Sequence, residues 1–201
     1  MKRTILALFA SSLLFAQDGE TTDLFNVNVS VLGIGVQYEK AIGKKFTALA
    51  TVDYAGGISY TDNFLGGSNT DFIFTTSLAL EGRYYYNLET RSLRRKVNTF
   101  NSGNYLAIKV GYIPDLFTSK SNNSKDLEPQ TTFTFNYGIK RTFATSFFYE
   151  FYTGLGITLH KDIVIDVNSY NYETNTYDYV YHKKNVTDKV MSLGFRVGYN
   201  F

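Results

Sequence analysis

From position 191 to the end of the chain, apolar and polar residues alternate without a break. Met191, Leu193, Phe195, Val197, Tyr199 and Phe201 are apolar or aromatic, and the residues between them are Ser, Gly, Arg, Gly and Asn. A side-chain period of two predicts a β-strand with unlike faces. The same alternation recurs upstream. Tyr149, Phe151, Leu155 and Ile157 oppose Phe148, Glu150, Tyr152 and Gly154, and Phe133, Phe135, Tyr137 and Ile139 oppose Thr134, Asn136, Gly138 and Lys140. Leu106, Ile108, Val110 and Tyr112 oppose Tyr105, Ala107, Lys109 and Gly111, and Leu78, Leu80, Tyr84 and Tyr86 oppose Ser77, Ala79, Glu81 and Arg83. Ala48, Ala50, Val52 and Tyr54 oppose Thr47, Leu49, Thr51 and Asp53, and Ile34, Val36 and Tyr38 oppose Gly33, Gly35, Gln37 and Glu39.

These segments make seven clear strands. Phe25, Val27 and Val29, alternating with Asn26, Asn28 and Ser30, supply an eighth. Between the two N-terminal segments the apolar positions change from odd to even near Val31, which predicts a tight turn; one long bulged strand is the alternative. The connections at 41–45 and 141–146 are short, whereas those at about 55–71, 113–130 and 158–188 are long. An even strand count with short turns at one end and long loops at the other is the pattern of an antiparallel up-and-down barrel. The expected fold is therefore all-β, an eight-stranded up-and-down barrel.

Composition narrows the setting. Met1, Lys2 and Arg3 precede a short apolar stretch, with Ala16 as a cleavage residue, so residues 1–17 read as a secretory signal peptide and 18–201 as the mature barrel domain. Residues 1–17 carry Lys2 and Arg3 and no acid, so 18 of the 20 basic residues remain, against 18 acidic ones. That balance gives no electrostatic argument for nucleic acid as a partner. With 0 Cys there is neither a disulfide nor a lipid-anchoring thiol. Tyr and Phe, 17 each, are abundant, and no apolar run is long enough for a transmembrane helix.

Periodicity alone leaves open which face points outward. A soluble, lipocalin-like barrel would put the apolar set inside. Two features favour the opposite, transmembrane arrangement. The polar rows are rich in Gly, Ala, Ser and Thr, which suits a narrow lumen. Aromatics also cluster at the ends of the apolar rows: Tyr38, Tyr84, Tyr86, Tyr199 and Phe201 at one end, Tyr54, Phe72, Tyr112 and Phe133 at the other.

On that arrangement the lumen receives four acids and four bases, Glu39, Asp53, Glu81, Glu150, Arg83, Lys109, Lys140 and Arg196. Eight strands leave room for little beyond side chains. A structural network of ion pairs is the expectation, with a polar path for ions or a small solute as the alternative. His160 and His182 flank the last hairpin without any recognisable catalytic or metal-ligand spacing around them, so no catalytic, cofactor or metal site is assigned. Around a turn-like stretch at 173–176 stand Tyr170, Tyr172, Tyr177, Tyr179 and Tyr181. They predict a protruding hairpin offering either a contact surface for an extracellular protein or glycan, or cross-strand stacking alone. The connection at 87–104 carries Arg91, Arg94, Arg95 and Lys96, readable as a basic contact for anionic headgroups or as a solvated loop.

The terminal strand, with Phe195, Val197, Tyr199 and the final Phe201, resembles the signal by which the barrel-assembly machinery of Gram-negative bacteria recognises outer-membrane proteins. Together with the leader, strand count and loop asymmetry, residues 24–201 resemble the small eight-stranded barrels of the OmpX, OmpW and OmpA-membrane-domain type. The resemblance implies an integral outer-membrane protein with outer-membrane lipid as its surroundings. Its fold class hosts several functions. The first expectation is a non-enzymatic structural or surface-contact protein. A narrow conduit for a small, hydrophobic solute is second, as the OmpW likeness implies, and a lipid-modifying enzyme third.

Overall fold

In the computed structural model, which describes residues 19–63, 67–114, 116–120, 128–171 and 176–201, eight long antiparallel strands close into a ring. The expected leader and Tyr172 lie outside these residues. The strands are β1 (Leu24–Ser30), β2 (Gly33–Gly43), β3 (Phe46–Asn63), β4 (Gly67–Tyr85), β5 (Asn104–Ile113), β7 (Gln130–Phe143), β8 (Phe147–Asn171) and β9 (Thr176–Asn200). The two-residue β6 (Ser119–Lys120) lies on β4, at Ile73↔Lys120 and Phe74↔Ser119, and is not a stave of the ring. Each long strand pairs with its neighbours in sequence, and β1 closes the ring against β9 from Asn26↔Asn200 to Ser30↔Arg196.

The change of parity near Val31 is a turn. β1 and β2 meet at Ser30↔Gly33, with Val31 and Leu32 between them, so the first strand is separate and the alternative of one bulged strand falls. The segments expected as loops at 55–71 and 158–188 are mostly ladder. β3 and β4 stay paired to Asn63↔Gly67, and β8 and β9 to Asn171↔Thr176, with one register shift between Val167 and Ser169. The alternating signal fades along the β3–β4 extension because neither face is steadily apolar there, whereas on β8 it continues at Ile163, Ile165 and Val167, where a protruding hairpin is expected and found. At the 113–130 connection β6 adds one short pairing.

The ring is inverted relative to a protein with an oily core. Among the described residues, 8 buried side chains are hydrophobic and 18 are polar or charged. Leu80 (67 %), Ile108 (67 %), Leu155 (70 %) and Met191 (66 %) stand on its outside. Both aromatic rows also face outward. Phe46 and Tyr84 pack with ring centroids 4.9 Å apart, and Tyr199 meets Phe147 at 5.1 Å and Phe201 at 4.9 Å.

The short-turn end of the lumen is closed from within the chain. The 87–104 connection is not a loose loop: it forms a one-and-a-half-turn helix, α1 (Leu88–Leu93), followed by a 3₁₀ turn at Thr99–Asn101. Leu88 is fully buried against Tyr85, Tyr105 and Ala107. Asn101 accepts from the Thr22 N–H at 2.8 Å and donates to its carbonyl at 2.9 Å, and Ser102 Oγ accepts from the Thr142 N–H at 3.1 Å. Toward the opposite end, the inward residues Ser30, Asp53, Lys109 and Ser192 are only half-buried. The lumen therefore opens on the side of the long hairpins.

Large inward rings fit because the wall beside them has no side chain. A methyl group at Gly138 would lie 2.1 Å from Tyr105 Cζ, and one at Gly194 would lie 2.2 Å from Tyr152 Cζ. Gly138→Ala is expected to lower unfolding free energy by about 1–3 kcal/mol, as overpacking does. Gly82→Ala on the outer face, where an added methyl meets nothing within 4 Å, is expected to be neutral or stabilising by up to about 1 kcal/mol. Urea titrations of the two variants in one detergent check the contrast, and equal destabilisation would contradict the inward placement of Tyr105.

Candidate functional site

Strand alternation sends every second residue into the lumen, and the register sets the height at which each charge arrives. Six of the eight charged residues singled out in the sequence come together there: Glu39, Glu81, Arg83, Lys140, Glu150 and Arg196, each at most 9 % exposed. Arg83 is the hub. Its Nε lies 2.6 Å from Glu81 Oε1 and its Nη1 2.8 Å from Glu150 Oε1, with Glu39 Oε2 at 4.0 Å. Its guanidinium also stands 4.2 Å from the centre of the Tyr105 ring.

The other members extend from that hub. Glu39 takes Lys140 Nζ at 3.3 Å through one oxygen and accepts from Thr47 Oγ1 and Tyr85 OH, both at 2.8 Å, through the other. Glu150 accepts from Tyr105 OH at 2.7 Å and lies 3.3 Å from Arg196 Nε. Three carboxylates thus meet three cations, and tyrosine hydroxyls donate to Glu39 and Glu150, while Glu150 Oε2 and Arg196 Nε and Nη1 are buried without a hydrogen bond. Asn26, Gln37 and Thr51 continue the polar packing, through Asn26 Nδ2 to Gln37 Oε1 at 3.2 Å and Gln37 Nε2 to Thr51 Oγ1 at 3.3 Å.

Asp53 and Lys109, the remaining two of the expected eight, are half-buried further up the lumen and make no ion pair among the described residues. Lys109 Nζ instead lies 5.6 Å from the Tyr152 ring centre, and Arg196 Cζ lies 5.0 Å from the same ring. Tyr85, Tyr105, Phe148 and the capping Leu88 complete the filling of the lumen, although none was singled out in the sequence as part of a site. Strand parity was the available signal for the first three. Nothing local marked Leu88.

The remaining candidates are scattered. His160 Nδ1 is 3.7 Å from Asp188 Oδ2 on the β8–β9 hairpin, and His182 is exposed on the same hairpin. Tyr170 pairs with Tyr177, Val167 with Tyr179 and Ile165 with Tyr181, so four of the five tyrosines line the expected hairpin as backbone positions. Phe195, Val197 and Tyr199 face outward on β9, and the Phe201 N–H donates to the Phe25 carbonyl at 2.9 Å.

Chemically, the lumen cluster can hold charge, but it offers no open, activated nucleophile. Its acids and bases neutralise one another out of contact with solvent. Set against protein-family models, curated proteins and solved structures, the chain matches none.

Removing Arg83 alone leaves the buried Glu81 without its cation and Glu150 with Arg196 alone. Arg83→Ala is expected to destabilise the ring by about 3–5 kcal/mol. The double change Arg83→Met with Glu81→Gln, which removes one charge of each sign and leaves Glu39 with Lys140 and Glu150 with Arg196, is expected to cost clearly less. Chemical denaturation of both variants checks this, and an Arg83→Ala protein as stable as the wild type would refute the hub.

Proposed function

We propose that this chain is an integral outer-membrane barrel without enzymatic activity, sealed across its lumen, whose role is structural and surface-contacting. The observation that carries the reading is the inversion of the ring: large apolar and aromatic side chains face out between two aromatic rows, while six charged side chains meet inside. Water would penalise that exposed apolar surface, whereas a bilayer core accepts it, and a closed ring leaves no unpaired strand edge around its paired girth. A secretory leader and a terminal aromatic strand agree with export and barrel assembly in a Gram-negative envelope.

The ordered cap at 87–104 and the buried ion pairs favour a plug over a conduit. At the other end the two long hairpins would stand outside the cell. The β8–β9 hairpin, whose ladder carries Tyr170, Tyr177, Tyr179 and Tyr181, is the natural surface for meeting an extracellular protein or glycan. Neither histidine lies in an arrangement that favours lipid-modifying chemistry.

The test begins with the mature protein refolded in detergent. On an SDS gel it is expected to migrate faster unboiled than boiled, and in a planar bilayer it is expected to show no steady single-channel current. Replacing both Glu81 and Arg83 with Gln is expected to lower the temperature of the gel shift rather than to tune a current. A heat-insensitive band recovered from the soluble periplasm would overturn the membrane reading. A reproducible ohmic conductance in the wild type would overturn the plug.

A further inference from the structure

Strand alternation sorts the charges at the base of the β8–β9 hairpin. Lys161 on β8, and Lys183 and Lys189 on β9, share the parity of the outward Ile157 and Met191. Asp162 and Asp188, the acids of 159–162 and 183–189, share the parity of Glu150 and Arg196 and turn to the inner face. The outer face keeps three cations, and both of these acids point away from it. Lys161 stands directly across from Asn185 and diagonally from Lys183, which puts the two Cα atoms about 7–8 Å apart. Lys189 pairs with Ile157, four residues or about 13 Å down the ladder from Lys161.

These positions border a cleft. Its volume is about 600 Å³, and it runs from Glu128 and Pro129 past Lys161 and Lys183 to Thr187. Glu128, just ahead of β7, fixes one wall: Lys183 Nζ reaches across β8 to its two carboxylate oxygens at 2.9 Å and 3.2 Å. Lys161 and Lys189 are exposed and make no ion pair among the described residues. Asn185 and Thr187 also line the cleft, and neither side chain makes a hydrogen bond among the described residues. Leu159 borders it on the side of the apolar wall, where Leu155 and Ile157 on β8 and Met191 and Leu193 on β9 all stand exposed.

Exposed ammonium groups at the top of an apolar column suit an amphiphile with an anionic head and hydrocarbon tails. Lysine stems lie along such a wall and carry their charge to the interface. Two features narrow the head. Three cations spread over two strands outnumber a single phosphate, and the spacing of Lys161 and Lys189 suits one phosphate at each end of a sugar unit. The free amide of Asn185 and hydroxyl of Thr187, set between the lysines, match sugar hydroxyls.

We propose that Lys161, Lys183 and Lys189 bind the phosphorylated sugar headgroup of an acylated glycolipid in the leaflet at the long-hairpin end of the barrel. Its acyl chains lie along Ile157, Met191 and Leu193. The assignment rests on the membrane reading above and adds to it a lipid class and the residues that recognise it.

The chain has 0 Trp, so one introduced indole reports its own surroundings. Leu159→Trp places the reporter in the cleft, and Leu80→Trp places one on the outer wall at β4, away from the hairpin. Each mature variant is reconstituted in brominated phosphatidylcholine vesicles. Unbrominated lipid A, an acylated disaccharide with two phosphates, is then included at rising mole fraction, in parallel with unbrominated phosphatidylglycerol. Recovery of fluorescence measures how well each lipid displaces the quencher. Relative to Leu80→Trp, the Leu159→Trp protein is expected to prefer lipid A by up to about fivefold per lysine, the factor given by about 1 kcal/mol per basic residue near a membrane surface. Adding Lys161→Gln, Lys183→Gln and Lys189→Gln together is expected to abolish that preference. Adding Arg94→Gln with Arg95→Gln, on the cap at the other end, is expected to leave it unchanged.

Equal lipid A preference at both reporters, or a preference that survives the triple change, would overturn the site while leaving the barrel in the membrane. Phosphatidylglycerol matching lipid A at Leu159→Trp would overturn the glycolipid assignment in favour of general attraction for anionic lipid. Bromolipid quenching at neither reporter would sink the membrane reading itself.

Discussion

A guanidinium shut away from water has to be surrounded by acceptors, and at Arg83 that requirement organises most of the ring. Its partners come from its own strand, through Glu81 and Tyr85, and from across the lumen, through Glu150 on β8. Glu39 on β2 then joins the set and brings in Lys140 from β7 and Thr47 from β3. Arg196 on β9 and Tyr105 on β5 attach to Glu150. Seven of the eight long strands thus contribute to one cluster, and β1 meets its edge through Asn26 and Gln37. A slip of one residue in any ladder would turn that strand's charge outward and leave its partners unpaired inside. The cluster therefore fixes register, whatever its net contribution to stability. Buried ion pairs cost desolvation as well as gaining attraction, and it is their incomplete versions that are expensive.

The same requirement explains the small residues around the lumen. Tyr105 and Tyr152 lie flat across the wall at Gly138 and Gly194, where a methyl group would fall within 2.2 Å of a ring carbon. Without those gaps the hydroxyl of Tyr105 would not reach Glu150, and Glu150 would lose an acceptor bond. Glycine costs strand stability in general. Here the loss is offset by closing a hydrogen-bond network that has no water to fall back on.

What the sequence made legible was whatever repeats every second residue. The eight strands, the turn at Val31 and the placing of all eight lumenal charges on one face follow from alternation, because sheet geometry converts parity directly into side; that this face is the inner one was read from its small residues and from the aromatic ends of the opposite face. Pairing inside the lumen does not follow from it. β4 and β8 are not neighbours in the ring, so nothing local announces that Arg83 meets Glu150, or that Asp53 and Lys109 stand apart. The β3–β4 extension was hidden for a related reason: beyond Tyr54 neither face of β3 stays apolar, and the period-two signal disappears while the hydrogen-bond ladder continues, whereas on β8 Ile163, Ile165 and Val167 kept the protruding hairpin legible. The cap was the least legible part. Its basic run looks like a solvated loop, and the residues that seat it, Leu88 and Asn101, are single anchors without a repeating pattern.

The cap and the charge cluster together favour the proposed plug over a path. A conducting route would need continuous water from the half-buried Asp53 and Lys109 down to the short turns. Water there would have to displace Leu88 from Tyr85 and Tyr105, and break the two bonds of Asn101 to Thr22 and the bond of Ser102 to Thr142. It would also reach carboxylates that already hold Arg83, Lys140, Arg196 and two tyrosine hydroxyls. Each step gives up a satisfied contact for one with water at best equal to it, and the gain of a few hydrated charges has to offset the exposure of Leu88 and two buried rings. With three acids matched by three bases the cluster also lacks the surplus charge that would draw an ion inward. On these terms the proposed role of the lumen is to hold the ring together, and contact with the surroundings falls to the outer surfaces.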